Sequence, residues 1–180
     1  VKWTGVGGTT AHEMAKVIDT GVFDVVQTAF NYSLLWQEAR YEIFPTAKKH
    51  DIGIICSAPL QQGSLAVRRD ELIENGAPWI SKPRREQFKA LYSFLDEIGM
   101  SIVELSLRFV LSNPDIDCVL VGAKNLKEIT ETVAYSEKGP LSEDILKRIE
   151  EIYMMVPFRP TLEPILLPWG DTRPDIGWIV

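Results

Sequence analysis

Four short apolar runs, rich in β-branched residues, are separated by segments with helical periodicity. Each run is continuously apolar instead of alternating, which is typical of strands covered on both faces in a parallel sheet. The runs occupy residues 3–6, 25–28, 53–57 and 118–121. Because a helical segment follows each run, the sequence predicts an α/β fold in which parallel strands alternate with helices.

Capping residues, glycine and proline indicate where the helices begin and end. The Thr10 hydroxyl and Glu13 form a predicted capping box for a first helix over 10–20. A helical pattern over 34–50 contains Pro45, which is tolerated if a second helix starts its first turn there. Ser101 is a predicted N-cap, and Gly99 ends the amphipathic segment before it. The other predicted helices cover 84–98, 126–135 and, opened by Ser142, 142–155.

The connection between the third and fourth runs is about twice as long as the others. We expect a loop and two helices there and no further strand, with 68–71 as a solvated loop. Beyond a domain predicted over 1–155, the stretch 156–180 contains five prolines and is predicted to be an irregular tail. Its apolar residues favour packing on the domain, either as plain surface packing or as a lid near a ligand site.

Composition and charge narrow the class of protein. The 180 residues are 46% hydrophobic and 24% charged, which argues against general disorder. A net charge of −6 makes nucleic acid and anionic membranes poor partners. No apolar run is long enough for a membrane span, and no signal peptide is visible, so we expect a cytoplasmic protein. The first residue, Val1, falls in a strand-like run, and we expect missing sequence before it.

Candidate chemistry lies just after the strands, because parallel α/β folds bind ligands at the carboxyl ends of their strands. The glycines of the first segment, among them Gly7 and Gly8, allow either close approach to a ligand or simply a tight turn. Gln27 is a neutral amide in a predicted buried run. It suits a carboxamide or hydroxyl ligand, and a satisfied core amide is an equal alternative.

Two further loops follow the third and fourth runs. The first contains Ser57, Leu60 and Ser64. The second combines Gly122, Lys124 and a helix start, which favours a phosphate site, although a solvated turn with a free lysine is an equal alternative.

Other catalytic or metal-binding patterns are missing from the sequence. The two histidines share no metal-ligand spacing with Cys56 or Cys118, and both cysteines are predicted to be buried free thiols. No Ser-His-Asp order, CxxC, HExxH or P-loop is present. The sequence therefore predicts no metal site.

Five motifs, in order, resemble the second half of an aldo-keto reductase. They are GVGGTT at 5–10, VQ at 26–27 with Asn31, SAPL at 57–60 with Gly63 and Leu65, LSLRFVL at 105–111, and VLVGA at 119–123. The resemblance covers 2–155 and is nearest to aldose or sugar-lactone dehydrogenases. It implies a TIM (β/α)8 barrel, which typically needs about 250 residues. The four runs would then be strands five to eight, with the first half missing.

The resemblance also implies NAD(H) or NADP(H) bound in extended form across the barrel mouth. Gln27 then matches the contact to the nicotinamide amide, while Gly7 and Gly8 stand where the family commonly has Ser-Asn. Cys56 replaces an aromatic ring that commonly stacks under the nicotinamide. The pyrophosphate side matches Ser57, Leu60 and Ser64, and the adenosine end matches Gly122, Lys124, Asn125, Glu128 and Glu131. Since a carboxylate at 128 would repel a 2′-phosphate, we expect a slight preference for NAD(H).

The family's proton-donor tyrosine and its Asp, Lys and His partners belong to the missing half. Tyr32 is a poor substitute because nothing here supplies a lysine to lower its pKa. We therefore expect an oxidoreductase acting on a carbonyl or sugar alcohol, in which this chain supplies cofactor contacts and is inactive alone. A non-catalytic nucleotide-binding or regulatory module and an unrelated α/β fold are the alternatives.

A half barrel has open sheet edges and an inner face without its partner. We therefore expect the chain to meet its missing half, to associate with itself, or to rearrange.

Overall fold

The strands form one parallel sheet in sequential order. A computed structural model describes residues 1–77, 79–161, 163–165 and 167. The strands are β1 (Gly5–Gly8), β2 (Val25–Ala29), β3 (Gly53–Ser57) and β4 (Cys118–Leu120). The sheet order is β1-β2-β3-β4, and every neighbouring pair is parallel. The predicted alternation of parallel strands with helices is confirmed.

Seven α-helices accompany the sheet in the described part of the chain. They are α1 (Ala11–Ile18), α2 (Ile43–Lys49), α3 (Asp70–Asn75), α4 (Lys82–Ile98), α5 (Ile102–Leu111), α6 (Leu126–Glu137) and α7 (Glu143–Tyr153). None of them combines the length and apolarity that a bilayer-crossing helix requires. Short 3₁₀ turns span Glu38–Arg40 and Gln61–Gly63.

The sheet has one covered face and one open face, so the prediction of strands covered on both faces is wrong. Along β2, Val26 and Thr28 are buried while Gln27 between them is exposed. The register continues this alternation, because Gly7, Gln27, Ile55 and Cys118 lie in one row across the sheet. The core lies between the covered face and the helices, and no described element covers the other face.

The caps of α4 and α5 form as predicted because they depend on local sequence. The Ser101 hydroxyl accepts a hydrogen bond from the Glu104 amide at 3.1 Å. Gly99 ends α4 at φ 62°, a left-handed conformation that glycine adopts without steric cost. Pro45 lies in the first turn of α2, also as predicted.

Other helix predictions are corrected by the structure. Thr10 and Ser142 stand at the predicted N-cap positions of α1 and α7, but their side chains make no capping hydrogen bond, and α1 ends at Ile18. The predicted helix over 34–50 is reduced to the turn at Glu38–Arg40 and α2. The predicted solvated loop at 68–71 leads directly into α3, so the long connection contains three helices.

The observed boundaries of the first strand differ from the predicted ones. β1 begins and ends two residues later than predicted, so Gly7 and Gly8 are strand residues instead of turn residues. Trp3, which the prediction placed in the strand, is 65% exposed. No strand lies between β3 and β4 in the residues that the structure describes there, as expected.

The described part of the tail is irregular and in part buried. Glu163 and Leu167 are both below 10% exposed. Trp169, Trp178 and the rest of the predicted tail lie outside the described residues.

Candidate active site

The loops that follow the four strands lie along one edge of the sheet, because the strands are parallel and adjacent. β1 and β4 are the outer strands and lie three inter-strand spacings apart, roughly 14 Å at about 4.8 Å each. The predicted site residues are therefore distributed across the sheet instead of being gathered in one pocket. Such a span suits an extended ligand.

Gln27, Gly7 and Ser57 form one group on the open face. Gln27 Nε2 donates to Ser57 Oγ at 3.2 Å, and Ser57 Oγ donates in turn to the Thr28 carbonyl at 3.2 Å. The predicted burial of the Gln27 amide is wrong, since its side chain lies on the uncovered face. A Cβ at Gly7 would lie 3.5 Å from Gln27 Cβ, so glycine leaves the surface beside the amide open.

Gly8 has a different reason to be glycine. A Cβ there would lie 2.5 Å from the sulfur of Met14 on α1, which is closer than van der Waals contact allows. Packing of α1 against the sheet accounts for this glycine without a ligand.

The loop after β3 is compact and has an unusual backbone. The Leu60 carbonyl accepts hydrogen bonds from the Gly63 and Leu65 amides at 3.0 and 3.1 Å. Ser64 is buried, and its amide donates to the Gln61 carbonyl at 3.1 Å. Leu60 and Ser64 therefore lie in one compact loop, and Ser57 is the last residue of the strand that leads into it.

The loop after β4 carries a built helix cap. Asn125 Oδ1 accepts from the Glu128 amide at 3.0 Å, and the Glu128 carboxylate accepts from the Lys124 amide at 2.7 Å and from Asn125 Nδ2 at 3.1 Å. Side chains of the protein therefore accept from the Lys124 and Glu128 amides at this helix start, where the sequence favoured a phosphate site. A Cβ at Gly122 would meet nothing within 4 Å. Glu131 lies within 3.8 Å of Lys127 on the exposed side of α6.

Tyr32 lies in the helix layer and not on the open face. Its ring is 4.9 Å from that of Phe44 and 5.3 Å from that of Phe109, and the residue is 7% exposed. Burial raises the pKa of its hydroxyl to about 12. This hydroxyl is therefore poorly placed to donate a proton to a ligand at the open face.

The two cysteines face opposite sides of the sheet. Cys56 is buried as predicted, and its thiol donates to the Tyr32 carbonyl at 3.5 Å. It faces the helices, so it does not stand beneath a ligand on the open face. Burial raises the pKa of this thiol to about 12. The prediction that Cys118 is buried is wrong, because Cys118 is exposed in the open-face row.

Comparison with known proteins identifies the family. The sequence model of the Aldo/keto reductase family matches residues 1–154. The chain belongs to this family. The assignment agrees with the order of the parallel strands and with the five motifs, and it removes the alternative of an unrelated α/β fold.

Curated relatives of the family are similar at low identity. L-galactose dehydrogenase of Arabidopsis thaliana is 26% identical over 160 residues, which cover 84% of this chain and 48% of the relative. An uncharacterized oxidoreductase of Bacillus subtilis is 24% identical over 72% of this chain and 40% of the relative. A putative voltage-gated potassium channel subunit beta of Schizosaccharomyces pombe is 23% identical over 87% of this chain and 49% of the relative. The chain spans about half the length of the curated relatives it matches.

The histidines of this aldo-keto reductase chain contact carboxylates at the surface. His12 lies 2.7 Å from Glu42, and His50 lies 2.9 Å from Asp19. Hydrogen bonds from Lys49 and His50 lower the pKa of Asp19. Within the described ranges, no three His, Cys, Asp or Glu side chains are grouped as metal ligands would be.

Sequence reasoning missed two polar groups next to the strand ends. Gln61 is buried in the loop after β3 and hydrogen-bonds to the loop after β2. Arg159, in the predicted tail, bonds to that same loop. Gln61 and Arg159 do not belong to any of the five motifs. The sequence indicated them only by placing an amide and a cation among apolar residues.

Proposed function

We propose that this chain forms strands five to eight of an aldo-keto reductase barrel and supplies most of the contacts to a nicotinamide dinucleotide. The complete protein would move a hydride between NAD(P)(H) and a carbonyl or a sugar alcohol. The observation that carries the proposal is the sequential parallel sheet with one open face, in a chain that matches the family over residues 1–154. The similarity to L-galactose dehydrogenase supports a sugar as the substrate.

The group around Gln27 suits the nicotinamide end. A side-chain amide can both donate to and accept from a carboxamide, and the glycine at position 7 leaves space beside it. Gly8 would contribute only backbone atoms to the contact with the nicotinamide. The loop that contains Ser57, Leu60 and Ser64 comes next along the mouth and would receive the pyrophosphate.

The loop after β4 would receive the adenosine end through Gly122, Lys124, Asn125, Glu128 and Glu131. The outer strands are separated by three inter-strand spacings, roughly 14 Å along the sheet, and a dinucleotide bound in extended form would follow that edge. Glu128 favours NAD(H), because its carboxylate can accept a hydrogen bond from a ribose hydroxyl but repels a 2′-phosphate.

Reduction of a carbonyl requires an acid beside the developing alkoxide, which the bound cofactor does not supply. Tyr32 is buried in the helix layer, and its raised pKa makes it a weak acid. We therefore propose that the acid comes from the other half of the barrel and that this chain alone has no turnover. The open face and the unpaired edges of β1 and β4 support a complementary half-barrel as the partner.

A second candidate is a non-catalytic nucleotide-binding or regulatory module. The similarity to a putative potassium channel subunit beta, at 23% identity over 87% of this chain, favours it. This candidate keeps the dinucleotide contacts and needs no acid.

Titration calorimetry of the purified chain with NADH and NADPH tests the proposal, together with assays for aldehyde and sugar turnover. We expect saturable binding at one site, tighter for NADH, and no turnover. Absence of binding of both dinucleotides would contradict the proposal, and turnover that Tyr32→Phe abolishes would contradict the assignment of the acid. A fusion of this chain behind the first half of the Arabidopsis relative separates the two candidate functions. The fusion should show turnover if this chain is half of an enzyme, and none if it is a non-catalytic module.

A further inference from the structure

Three segments meet at one backbone atom beside the strand ends. The carbonyl oxygen of Phe30, directly after β2, accepts a hydrogen bond from Gln61 Nε2 at 3.0 Å and another from Arg159 Nη2 at 3.2 Å. Gln61 belongs to the loop after β3, and Arg159 belongs to the segment that follows α7. This junction connects the two loops and the C-terminal segment.

Gln61 is held tightly at the junction. It is 2% exposed, and its Nε2 also donates to Ser33 Oγ at 2.9 Å. Its Oε1 is buried without a hydrogen-bond partner among the described residues. An unpaired buried oxygen destabilises the fold. The Gln61 amide therefore stabilises the junction only through the two hydrogen bonds that its nitrogen donates.

The backbone around the junction is strained. Phe30, Ala58, Gln61 and Gln62 have φ values between 47° and 63°, a left-handed region that non-glycine residues rarely adopt. Such conformations persist where surrounding contacts hold them, and they are concentrated at functional sites. Four of the five such residues in the described chain lie in these two adjacent loops.

Arg159 is fixed on its other sides. Its Nε lies 3.3 Å from Glu38, and its Nη1 donates to the Pro164 carbonyl at 3.2 Å. The same segment is tied to α4 by the buried pair of Arg84 and Glu163. Contacts to Glu38 and to α4 therefore hold the C-terminal segment where Arg159 bonds to Phe30.

We propose that Gln61 is a positioning residue, which fixes the strained loop of Ser57, Leu60 and Ser64 and couples that loop to the C-terminal segment through Phe30. The inference rests on the proposed function, in which this loop receives the pyrophosphate of the dinucleotide. Gln61 itself does not touch the ligand; it sets the shape of the loop that does.

The test compares Gln61→Glu with Gln62→Glu in the 180-residue chain. A carboxylate at 61 keeps the size of the side chain but cannot donate to the Phe30 carbonyl. Gln62 is exposed, so the substitution Gln62→Glu adds the same charge to the same loop. Gln61→Glu should weaken NADH binding on the order of tenfold. Binding of AMP, which does not reach this loop, should stay within about twofold. Gln62→Glu adds a charge that repels the pyrophosphate but keeps the junction, so it should weaken NADH binding less than Gln61→Glu does and should leave AMP binding within about twofold.

Amide hydrogen exchange supplies a readout that needs no ligand. Gln61→Glu should speed exchange in residues 58–65 and also in 158–161, which a defect confined to one loop would not do. Arg159→Gln, a second variant that removes the other donor, should also speed exchange in 58–65, because Arg159 and Gln61 bond to the same Phe30 carbonyl.

The possible failures are distinguishable. If the unaltered chain binds neither dinucleotide, the proposed function fails. If it binds NADH and Gln61→Glu binds equally well, or if exchange rises evenly over the whole molecule, the positioning role of Gln61 is wrong.

Discussion

Glu128 fixes a negative charge at the first turn of α6. Its carboxylate accepts from the Lys124 amide at 2.7 Å and from Asn125 Nδ2 at 3.1 Å, so the charge is held in one place by the cap. If the adenosine end of a dinucleotide lies there, this charge decides between a ribose hydroxyl and a phosphate.

Neutralising Glu128 should shift the preference toward NADPH. Two like charges about 4 Å apart in a solvated site repel by roughly 1 kcal/mol, so Glu128→Gln should raise the affinity for NADPH relative to NADH about fivefold. Glu137→Gln, an exposed carboxylate at the far end of α6, is the matched control and should leave the ratio near that of the unaltered chain. Calorimetry of the three chains measures the ratio, and an unchanged ratio in Glu128→Gln would exclude this role.

Tyr32 and Cys56 should make the fold sensitive to alkali. Burial raises both pKa values to about 12, from ordinary values of 10.0 and 9.0. The folded chain keeps both protons where the unfolded chain loses them, so stability is complete below about pH 9 and falls as the pH approaches 12. Tyr32→Phe should therefore make the decline of the melting temperature between pH 9 and 11 less steep.

Circular dichroism melts at several pH values measure this decline. Tyr135→Phe, on the half-exposed side of α6, is the control and should follow the unaltered chain. Equal slopes for Tyr32→Phe and the unaltered chain would show that ionisation of Tyr32 does not contribute.

The helices show which features of this fold local sequence determines. The cap at Ser101 and the stop at Gly99 require only neighbouring residues, and both form as predicted. The helix predicted over 34–50 did not form as one helix, because the apolar residues there are buried by contacts with distant parts of the chain. Trp36, for example, donates to Glu163 from a non-helical segment, a contact 127 residues away in sequence. No local pattern carries that information.

The C-terminal segment is attached to α4 by a buried ion pair. Arg84 and Glu163 form two hydrogen bonds at 2.8 and 3.1 Å, and their side chains are 0% and 2% exposed. Arg84 also donates to the Leu35 carbonyl and to Gln87, and its guanidinium lies 4.7 Å from the centre of the Trp36 ring. These contacts satisfy most of its donors, so the charge of Arg84 depends mainly on Glu163.

Removing the carboxylate should destabilise the chain strongly. Glu163→Gln leaves the Arg84 charge buried without its partner and should lower the free energy of unfolding by about 3 kcal/mol. Glu150→Gln is the control, because Glu150 pairs with Arg40 at the surface and such pairs contribute about 0–1 kcal/mol. Urea denaturation followed by tryptophan fluorescence measures both values. Similar losses for the two variants would contradict the role of the buried pair.

Across the sheet, the direction and order of the strands were predicted better than the exposure of their residues. Alternation of strand and helix predicts a parallel sheet, and the sequential order follows from the resemblance to a barrel. Whether Gln27 and Cys118 are buried could not be predicted in the same way, because their exposure depends on what covers the second face of the sheet. Continuously apolar strands indicate that both faces become buried, yet the described residues cover one.

The open face should be reactive and should drive association. Iodoacetamide at pH 8 should modify Cys118 in the native chain and Cys56 only in denaturant, as mass spectrometry would detect. Modification of Cys118 should slow as protein concentration rises, if copies associate through the face or edge beside it. Cys118→Ser, the control, should show no native modification. Equal protection of both cysteines at low concentration, together with a strictly monomeric chain in sedimentation, would contradict the open-face account.

NMR of the ¹⁵N-labelled chain titrated with NADH tests whether the strand ends hold a nicotinamide dinucleotide. If they do, three groups of signals should show saturable shift changes: the Gln27 side chain, residues 57–64 and residues 122–131. Changes confined to the groove that Phe44 of α2, Phe109 of α5 and Leu146 of α7 line in the helix layer, or no changes at saturating NADH, would contradict this placement.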